Sequence, residues 1–260
     1  MIYFIKKTLY KILPESTFLN LLHIGFYTLY RLNILKGDPS FKYHYAVRYL
    51  VKDTDHVVDL GANLGYFAKT FARTAKKGSL TCIEPIPAFN ALLKKKLLSF
   101  SHVKVLHTAL GQENGEITMV LPKSGGIMRT GLPHVMTEEE KQSDMDRQVV
   151  PLTHAGELFA GLDKIDYIKC DIEGYEWAVF QLIKESLEKH QPTIQVEIGP
   201  ENRTQMNEML SSIGYKLYGI AAFKVCRDSL DQKEQGDFLY VHESKVTDFE
   251  NRLKSMGKLA

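Results

Sequence analysis

The sequence predicts an α/β fold built on a doubly wound, mostly parallel sheet. From residue 56 onwards, short apolar runs alternate with segments whose apolar residues recur at helical spacing. That alternation is typical of a parallel sheet with helices on both faces. A turn containing two glycines, Gly61 and Gly65, joins the first run to the first helical segment. We expect a ligand at that turn, because ligands bind where parallel strands end.

The first 52 residues are predicted to form a helical extension. Residues 1–7 are hydrophobic and basic, and residues 17–30 are apolar and aromatic. The second segment is too short and too polar to span a bilayer, and no small-residue cleavage site follows the first. We therefore expect helices that pack on the core or on a second subunit, and the aromatic side chains favour a homodimer. Peripheral contact with a membrane surface is the alternative.

The central domain is predicted to span residues 53–245 and to contain a seven-stranded sheet. Its parallel strands are predicted at 56–60, 79–84, 103–108, 165–170 and 193–198. The helices between them are predicted at 65–76, 87–99, 175–189 and 201–213. Two further runs, 215–220 and 237–242, are predicted to pair antiparallel around a polar loop, 227–236. Residues 246–260 are predicted to be a charged C-terminal tail.

An insertion at about 112–153 interrupts the domain. Its ends, 116–121 and 147–152, alternate between apolar and polar residues and are predicted to form a β-hairpin. Residues 122–146 between them are rich in Gly, Lys, Glu and Ser. Long polar loops in compact domains are commonly functional lids or disordered segments. We expect 122–146 to be a mobile lid over the substrate site.

The turn after the first strand has the charge pattern of a site for S-adenosylmethionine. A glycine loop before a helix presents N–H groups that suit a carboxylate, whereas Asp59 would repel phosphates. S-adenosylmethionine has a carboxylate, an amino group and a sulfonium, and it lacks phosphate. Glu84 follows Gly65 by nineteen residues, at about the spacing where an acidic side chain accepts from both ribose hydroxyls. Asp59, Gly61, Gly65 and Glu84 are therefore predicted to form one site.

Three ordered motifs resemble those of the FkbM family of S-adenosylmethionine-dependent methyltransferases. They are Asp59-Leu-Gly-Ala-Asn-Leu-Gly-Tyr-Phe67, Glu84-Pro85 and Lys169-Cys-Asp-Ile-Glu-Gly-Tyr-Glu176. The resemblance runs from about Val57 to Glu197 and implies a class I methyltransferase (Rossmann-like) fold. It also implies methyl transfer to oxygen, often on a sugar hydroxyl, and an adenine site near Ala109. The cofactor-binding residues expected on this basis are Asp59, Gly61, Ala62, Asn63, Gly65, Glu84, Pro85, Ala109 and Asp171.

Carboxylates follow the fourth and fifth predicted parallel strands at the same edge of the sheet. Asp171 and Glu173 follow the fourth strand, and Glu197 ends the fifth. In one hypothesis a carboxylate takes the proton of an acceptor hydroxyl. In the other, Asp171, Glu173 and Glu197 hold Mg²⁺ or a similar hard cation that lowers the pKa of that hydroxyl. The structural alternative is that Asp171 and Glu173 cap the helix predicted to begin near Tyr175.

Composition and charge narrow the class of function. A hydrophobic content of 44% and a charged content of 25% are average for a soluble globular protein. The net charge of +2 gives no argument for a nucleic-acid partner. Three widely separated cysteines, Cys82, Cys170 and Cys226, favour buried thiols and a reducing cytoplasm.

The sequence thus predicts a methyltransferase whose acceptor is a carbohydrate or a small glycosylated metabolite. A binding or assembly protein that keeps the cofactor fold is one alternative. A nicotinamide oxidoreductase is another, which the loop pattern disfavours because it lacks the G-x-G-x-x-G spacing.

Overall fold

The computed structural model describes residues 2–142, 145–227 and 237–260. The helices in these ranges are α1 (Ile2–Ile12), α2 (Glu15–Arg31), α3 (Lys42–Leu50), α4 (Ala68–Thr74), α5 (Pro87–Leu97), α6 (Ala155–Ala160), α7 (Glu176–Leu182), α8 (Lys184–His190), α9 (Arg203–Ser212) and α10 (Glu243–Ser255). Three 3₁₀ turns also occur, at Ile34–Gly37, Pro39–Phe41 and Glu139–Gln142. The strands are β1 (His56–Leu60), β2 (Ser79–Ile83), β3 (Val103–Leu106), β4 (Ala109–Gly111), β5 (Gly115–Leu121), β6 (Lys123–Ser124), β7 (Ile127–Met128), β8 (His134–Val135), β9 (Asp146–His154), β10 (Tyr167–Cys170), β11 (Thr193–Glu197), β12 (Tyr215–Ala221), β13 (Lys224–Arg227) and β14 (Asp237–His242).

The main sheet has the order β13-β12-β14-β11-β10-β1-β2-β3. Strands β3, β2, β1, β10 and β11 are parallel, and β14, β12 and β13 are antiparallel to their neighbours. This confirms the predicted doubly wound, mostly parallel fold, with one strand more than the seven predicted. The additional strand β13 takes up Arg227, the first residue of the predicted polar loop, and residues 228–236 of that loop lie outside the described ranges.

The third predicted helix of the central domain, 175–189, is divided in the structure. The α-helical backbone breaks at Ile183, which has φ −101° and ψ 8° and separates α7 from α8. The Ile183 side chain is fully buried in the hydrophobic core on that side of the sheet. A single straight helix was therefore the wrong prediction for this segment.

A second, four-stranded sheet has the order β4-β9-β5-β8. Strands β5 and β9 are the two predicted hairpin strands and pair antiparallel. Residues 109–111, which include the expected adenine-site residue Ala109, form β4 and pair parallel with β9. The segment 122–146 is not polar throughout, because Ile127 and Met128 are buried. Its motion remains a prediction.

Hydrophobic cores fill both faces of the main sheet. Helices α3, α4 and α10 cover one face, where Phe71 packs near Tyr167. Helices α6 to α9 cover the other face. Cys82 and Cys170 are buried within these cores as free thiols, as predicted.

The N-terminal helices pack on the edge of this body. Phe18 and Leu19 of α2 are buried in a third hydrophobic cluster, which includes Met128 of the insertion. Other apolar side chains of the N-terminal segment are exposed, among them Ile12 and Leu32. None of the helices in the described ranges combines the length and hydrophobicity needed to span a lipid bilayer. A homodimer and peripheral membrane contact therefore both remain predictions.

Candidate active site

The turn after β1 is a tight loop, and its first glycine cannot be replaced without movement. Gly61 has φ +69°, a conformation that L side chains rarely adopt. A Cβ on Gly61 would lie 1.8 Å from the backbone oxygen of Asp171. The loop therefore lies directly against the residues that follow β10.

The N–H groups of this loop are used within the protein. Those of Gly61 and Ala62 both donate to the carbonyl oxygen of Ile83, and that of Gly65 donates to Ala62. The N–H of Asn63 donates to Glu84, and that of Leu64 donates to the Asn63 side chain. These five N–H groups, of residues 61–65, therefore already have acceptors within the protein, and the binding of a ligand carboxylate at the loop stays a prediction. In addition, α4 begins only at Ala68, so the loop does not lead directly into a helix N-terminus.

Glu84 links the loop to the end of β2. Its side chain is buried, Oε2 accepts from the N–H of Asn63 (2.7 Å) and Oε1 accepts from the N–H of Ile86 (2.8 Å). Burial raises the pKa of Glu84 to about 7. A carboxylate oxygen can accept a second hydrogen bond. Contact with two ribose hydroxyls therefore remains compatible with this geometry.

A cavity lies between the ends of β1, β2 and β10 and the insertion. Six of the nine predicted cofactor-binding residues line it, namely Gly61, Asn63, Glu84, Pro85, Ala109 and Asp171. Ala62 and Gly65 do not line it and instead complete the loop through the hydrogen bond between their backbones. The insertion contributes Pro133 and Val135 to the wall, and the Asn63 side chain donates to the carbonyl oxygen of Thr130 (2.5 Å).

Asp59 lies beneath the loop and is absent from the cavity wall. Its side chain is fully buried, and neither carboxylate oxygen has a hydrogen-bond partner. Burial raises the pKa of Asp59 to about 7, although the positive charge of Lys169 opposes that shift. The expected direct contact between Asp59 and the cofactor is therefore not present in this geometry, because the carboxylate faces a lysine of the neighbouring strand.

That lysine, Lys169, is the main site residue that the sequence interpretation missed. Its side chain is buried on β10, and its Nζ lies 3.1 Å from Asp171 Oδ2 and 3.9 Å from Asp59 Oδ1. Nζ also donates to the carbonyl oxygen of Gly61 (3.4 Å). Burial alone would lower the pKa of Lys169, but Asp171 and Asp59 raise it above its ordinary value. The sequence signal for Lys169 was a charged residue inside an apolar strand. A charged side chain can be buried in a strand only when it is paired.

The turn after β10 presents Asp171 and Glu173 to the cavity. Glu173 has φ +50°, which turns the chain sharply after the strand. Burial raises the pKa of Glu173 to about 8, and the negative charges of Asp171 and Glu197 add to the shift. Glu197 itself is exposed at the end of β11 and does not line the cavity, although its charge acts on Glu173. Its predicted catalytic role stays a prediction.

Glu176 organises this turn. Its Oε1 accepts from the N–H of Ile172 (2.9 Å), and its Oε2 accepts from the N–H of Gly174 (3.0 Å). Helix α7 has no side-chain hydrogen bond from its N-cap residue, Tyr175. The structural alternative for Asp171 and Glu173 is therefore wrong, because the carboxylate that holds the backbone here belongs to Glu176.

The predicted metal site does not fit the structure. Within the described ranges, no three His, Cys, Asp or Glu side chains are arranged to hold a metal ion. Asp171 is paired with the Lys169 ammonium group, and Glu197 lies outside the cavity. By contrast, the buried Glu84 carboxylate and the partly apolar cavity beside it suit a nucleoside, so the residues fit S-adenosylmethionine.

Comparisons with known proteins point to one family. Residues 59–218 match the family described as Methyltransferase FkbM domain. The chain is 28% identical to 2-O-methyltransferase NoeI of Sinorhizobium fredii (strain NBRC 101917 / NGR234) over 170 residues, which cover 60% of this chain and 69% of that protein. It is similar in fold to methyltransferase FkbM from Methylobacillus flagellatus KT, with a TM-score of 0.50 and 15% identity. That match covers 91% of this chain but only 58% of the solved chain, so this chain spans less than two thirds of its length.

Proposed function

The chain belongs to the FkbM methyltransferase family, and from this premise we propose that it transfers a methyl group from S-adenosylmethionine to a hydroxyl of a carbohydrate or a small glycosylated metabolite. The observation that supports the proposal is the cavity in which Glu84 and Ala109 lie together with Asp171 and Glu173. The relative named as a 2-O-methyltransferase supports transfer to oxygen. Family membership favours methyl transfer over the assembly and oxidoreductase alternatives.

The proposed cofactor site uses the wall formed by β1, β2 and β4. When bound, S-adenosylmethionine supplies a methyl group activated by its positively charged sulfur. Glu84 accepts from the ribose hydroxyls, while Pro85 and Ala109 flank the adenine. Asp59 and Lys169 lie beneath the loop. Lys169 Nζ donates to the carbonyl oxygen of Gly61 and thereby holds the loop in position.

Glu173 is the proposed general base. With the methyl group supplied by S-adenosylmethionine, Glu173 would take the proton that the acceptor hydroxyl loses, and S-adenosylhomocysteine would be released. Asp171 is a weaker candidate, because its Oδ2 already contacts Lys169 Nζ at 3.1 Å. Asp171 instead orients the acceptor hydroxyl as a hydrogen-bond acceptor. Glu197 contributes only its negative charge, which adds to the raised pKa of Glu173.

We place the enzyme in the cytoplasm, with a small-molecule or glycan acceptor and no nucleic-acid partner. The net charge of +2 supports this choice of acceptor, because nucleic-acid sites are strongly basic. The buried free thiols Cys82 and Cys170 support a reducing compartment.

Methyl-labelled S-adenosylmethionine is the direct test of this function. Incubation of the protein with the labelled compound and a fractionated cell extract is expected to label a carbohydrate-containing fraction, in which mass spectrometry locates a methyl ether. The Glu173→Gln variant should give little label, whereas Glu208→Gln, at an exposed position on α9, should match the wild type. Label found only in protein or nucleic acid would contradict the proposed acceptor class.

The rate should also depend on the ionisation of Glu173. Because its pKa is raised to about 8, the carboxyl group is largely protonated at lower pH and cannot act as a base. We therefore expect kcat to rise with pH up to about 8 and then level off. Glu173→Gln should lower kcat by about 10²–10⁴-fold and remove that rise. A Glu173→Gln enzyme with the wild-type pH profile would assign the proton transfer to another group.

A further inference from the structure

The structure has a second cavity, whose lining residues differ from those of the cofactor cavity. It has a volume of about 380 Å³ and lies between the segment 36–43 and the hairpin of β12 and β13. Asp237 and Phe238 of β14 also line it. Neither the cofactor loop nor Glu84 contributes to its wall, so this space is distinct from the cofactor cavity.

An unusual backbone turn positions one aromatic wall of the cavity. Ala222 and Phe223 join β12 to β13, and both have positive φ angles, 48° and 60°, although neither is glycine. The hydroxyl of Tyr49 donates to the carbonyl oxygen of Phe223 (2.9 Å), and the ring of Tyr45 packs edge-on against its ring. Rare backbone conformations that the surrounding structure holds in place are concentrated at ligand sites.

The cavity combines aromatic rings with positive charge. Lys36 Nζ lies 5.2 Å from the centre of the Phe223 ring, and Lys42 and Tyr43 line the same space. Asp237 contributes a carboxylate, whose Oδ1 accepts from Gln195 Nε2 (2.8 Å). Aromatic walls with a few convergent polar groups are typical of small-molecule sites.

A row of polar side chains connects this cavity with the active site. Asp59, Lys169 and Gln195 are neighbours in register across β1, β10 and β11. Gln195 then bonds Asp237, which lines the second cavity, while Lys169 bonds Asp171, which lines the first. A molecule in the second cavity would therefore lie beside the same polar row that supports the proposed methyl transfer.

We propose that the second cavity binds one end of the acceptor, that this acceptor is an acidic sugar with a carboxylate or a phosphate group, and that its reactive hydroxyl extends along the polar row to Asp171 and Glu173. The inference rests on the proposed function. The ring of Phe223, which is only partly buried, packs against the C–H face of the sugar, and Asp237 accepts from a sugar hydroxyl. Lys36 and Lys42 bind the acidic group, since lysine ammonium groups bind such anions as point charges.

Matched pairs of sugars test the charge preference. Ligand-observed NMR titrations of protein saturated with S-adenosylhomocysteine would compare p-nitrophenyl glucuronide with p-nitrophenyl glucoside, and glucose 6-phosphate with glucose. We expect the acidic member of at least one pair to bind about tenfold more tightly, as one charge-assisted hydrogen bond would provide. The pair with the larger difference identifies carboxylate or phosphate. Equal binding within both pairs would overturn the inference.

Two variants and a control assign the binding to this cavity. Lys36→Gln should abolish the preference for the acidic sugar, whereas Lys104→Gln, an exposed lysine on β3, should preserve it. Phe223→Gly should weaken the binding of both members of a pair. Because glycine suits φ +60°, the relaxed backbone should offset part of the stability lost with the packing of the Phe223 ring on Tyr45. Unchanged preference in Lys36→Gln would overturn the inference.

The result for the cofactor separates this inference from the proposed function. All of these variants should bind S-adenosylhomocysteine as the wild type does, since none of their side chains lines the first cavity. A wild-type protein that fails to bind S-adenosylhomocysteine contradicts the proposed function. A protein that binds it but shows no charge preference contradicts only the acidic acceptor.

Discussion

Substitution of Glu84 by alanine is expected to weaken the binding of S-adenosylhomocysteine by at least about a hundredfold, or roughly 2.7 kcal/mol. The change removes the proposed ribose acceptor. It also leaves the N–H groups of Asn63 and Ile86 without their partner, and each such unsatisfied buried donor costs about 1–3 kcal/mol. Isothermal titration calorimetry on the folded variant measures the loss.

A matched control is available for this experiment. Glu208 on α9 is exposed, so Glu208→Ala should bind S-adenosylhomocysteine with the wild-type affinity. If a folded Glu84→Ala protein kept the wild-type affinity, the cofactor would not use the end of β2. If the wild type bound NADH tightly and did not bind S-adenosylhomocysteine, the cofactor would be a nicotinamide dinucleotide and the proposed function would be wrong.

Substitution of Lys169 by methionine is expected to lower the free energy of unfolding by about 3–5 kcal/mol, because it leaves a buried acidic group without its partner. Methionine keeps much of the length of lysine but lacks its charge. Asp59 would bear most of the cost, since it is fully buried and no hydrogen bond satisfies its oxygens. Denaturation in urea measures the change.

The pH dependence and a double variant test this explanation. The pKa of Asp59 is already raised in the folded protein, and loss of Lys169 removes the charge that opposes the shift. An acid with a raised pKa in the folded state binds its proton more tightly there, so stability falls as pH rises from its unfolded to its folded pKa. The loss in Lys169→Met should therefore be smaller at pH 5 than at pH 8. Adding Asp59→Asn should recover part of it, and a variant as stable as the wild type at both pH values would refute the pairing.

Part of the site followed from the sequence because its signals are local. Gly61 lies where a strand ends, and its positive φ is a property of that single residue. Glu84 and Asp171 each follow an apolar run, and the carboxyl ends of parallel strands share one edge. The sequence therefore placed both beside the same cavity, as the structure does.

Other features depend on which groups face each other across the fold. The N–H groups of the loop are occupied because β2 brings the carbonyl oxygen of Ile83 beside them. Glu197 does not line the cavity, although it ends a neighbouring strand. Strand β13 escaped prediction because its turn, Ala222 and Phe223, contains no glycine or proline. No pattern within a few neighbouring residues of the sequence predicts any of these arrangements.

The sequence by itself determined the alternating strands and helices, the glycine turn and the acidic residues at the strand ends, because periodicity and backbone freedom act over short distances. Only the tertiary structure decided that Lys169 lies between Asp59 and Asp171 and that a second cavity forms beside Asp237. Those arrangements require the order and register of strands β1, β10, β11 and β14, which are distant in the chain. The physical reason is that a buried charged side chain needs an oppositely charged group close to it. Strand pairing determines which residues lie close together.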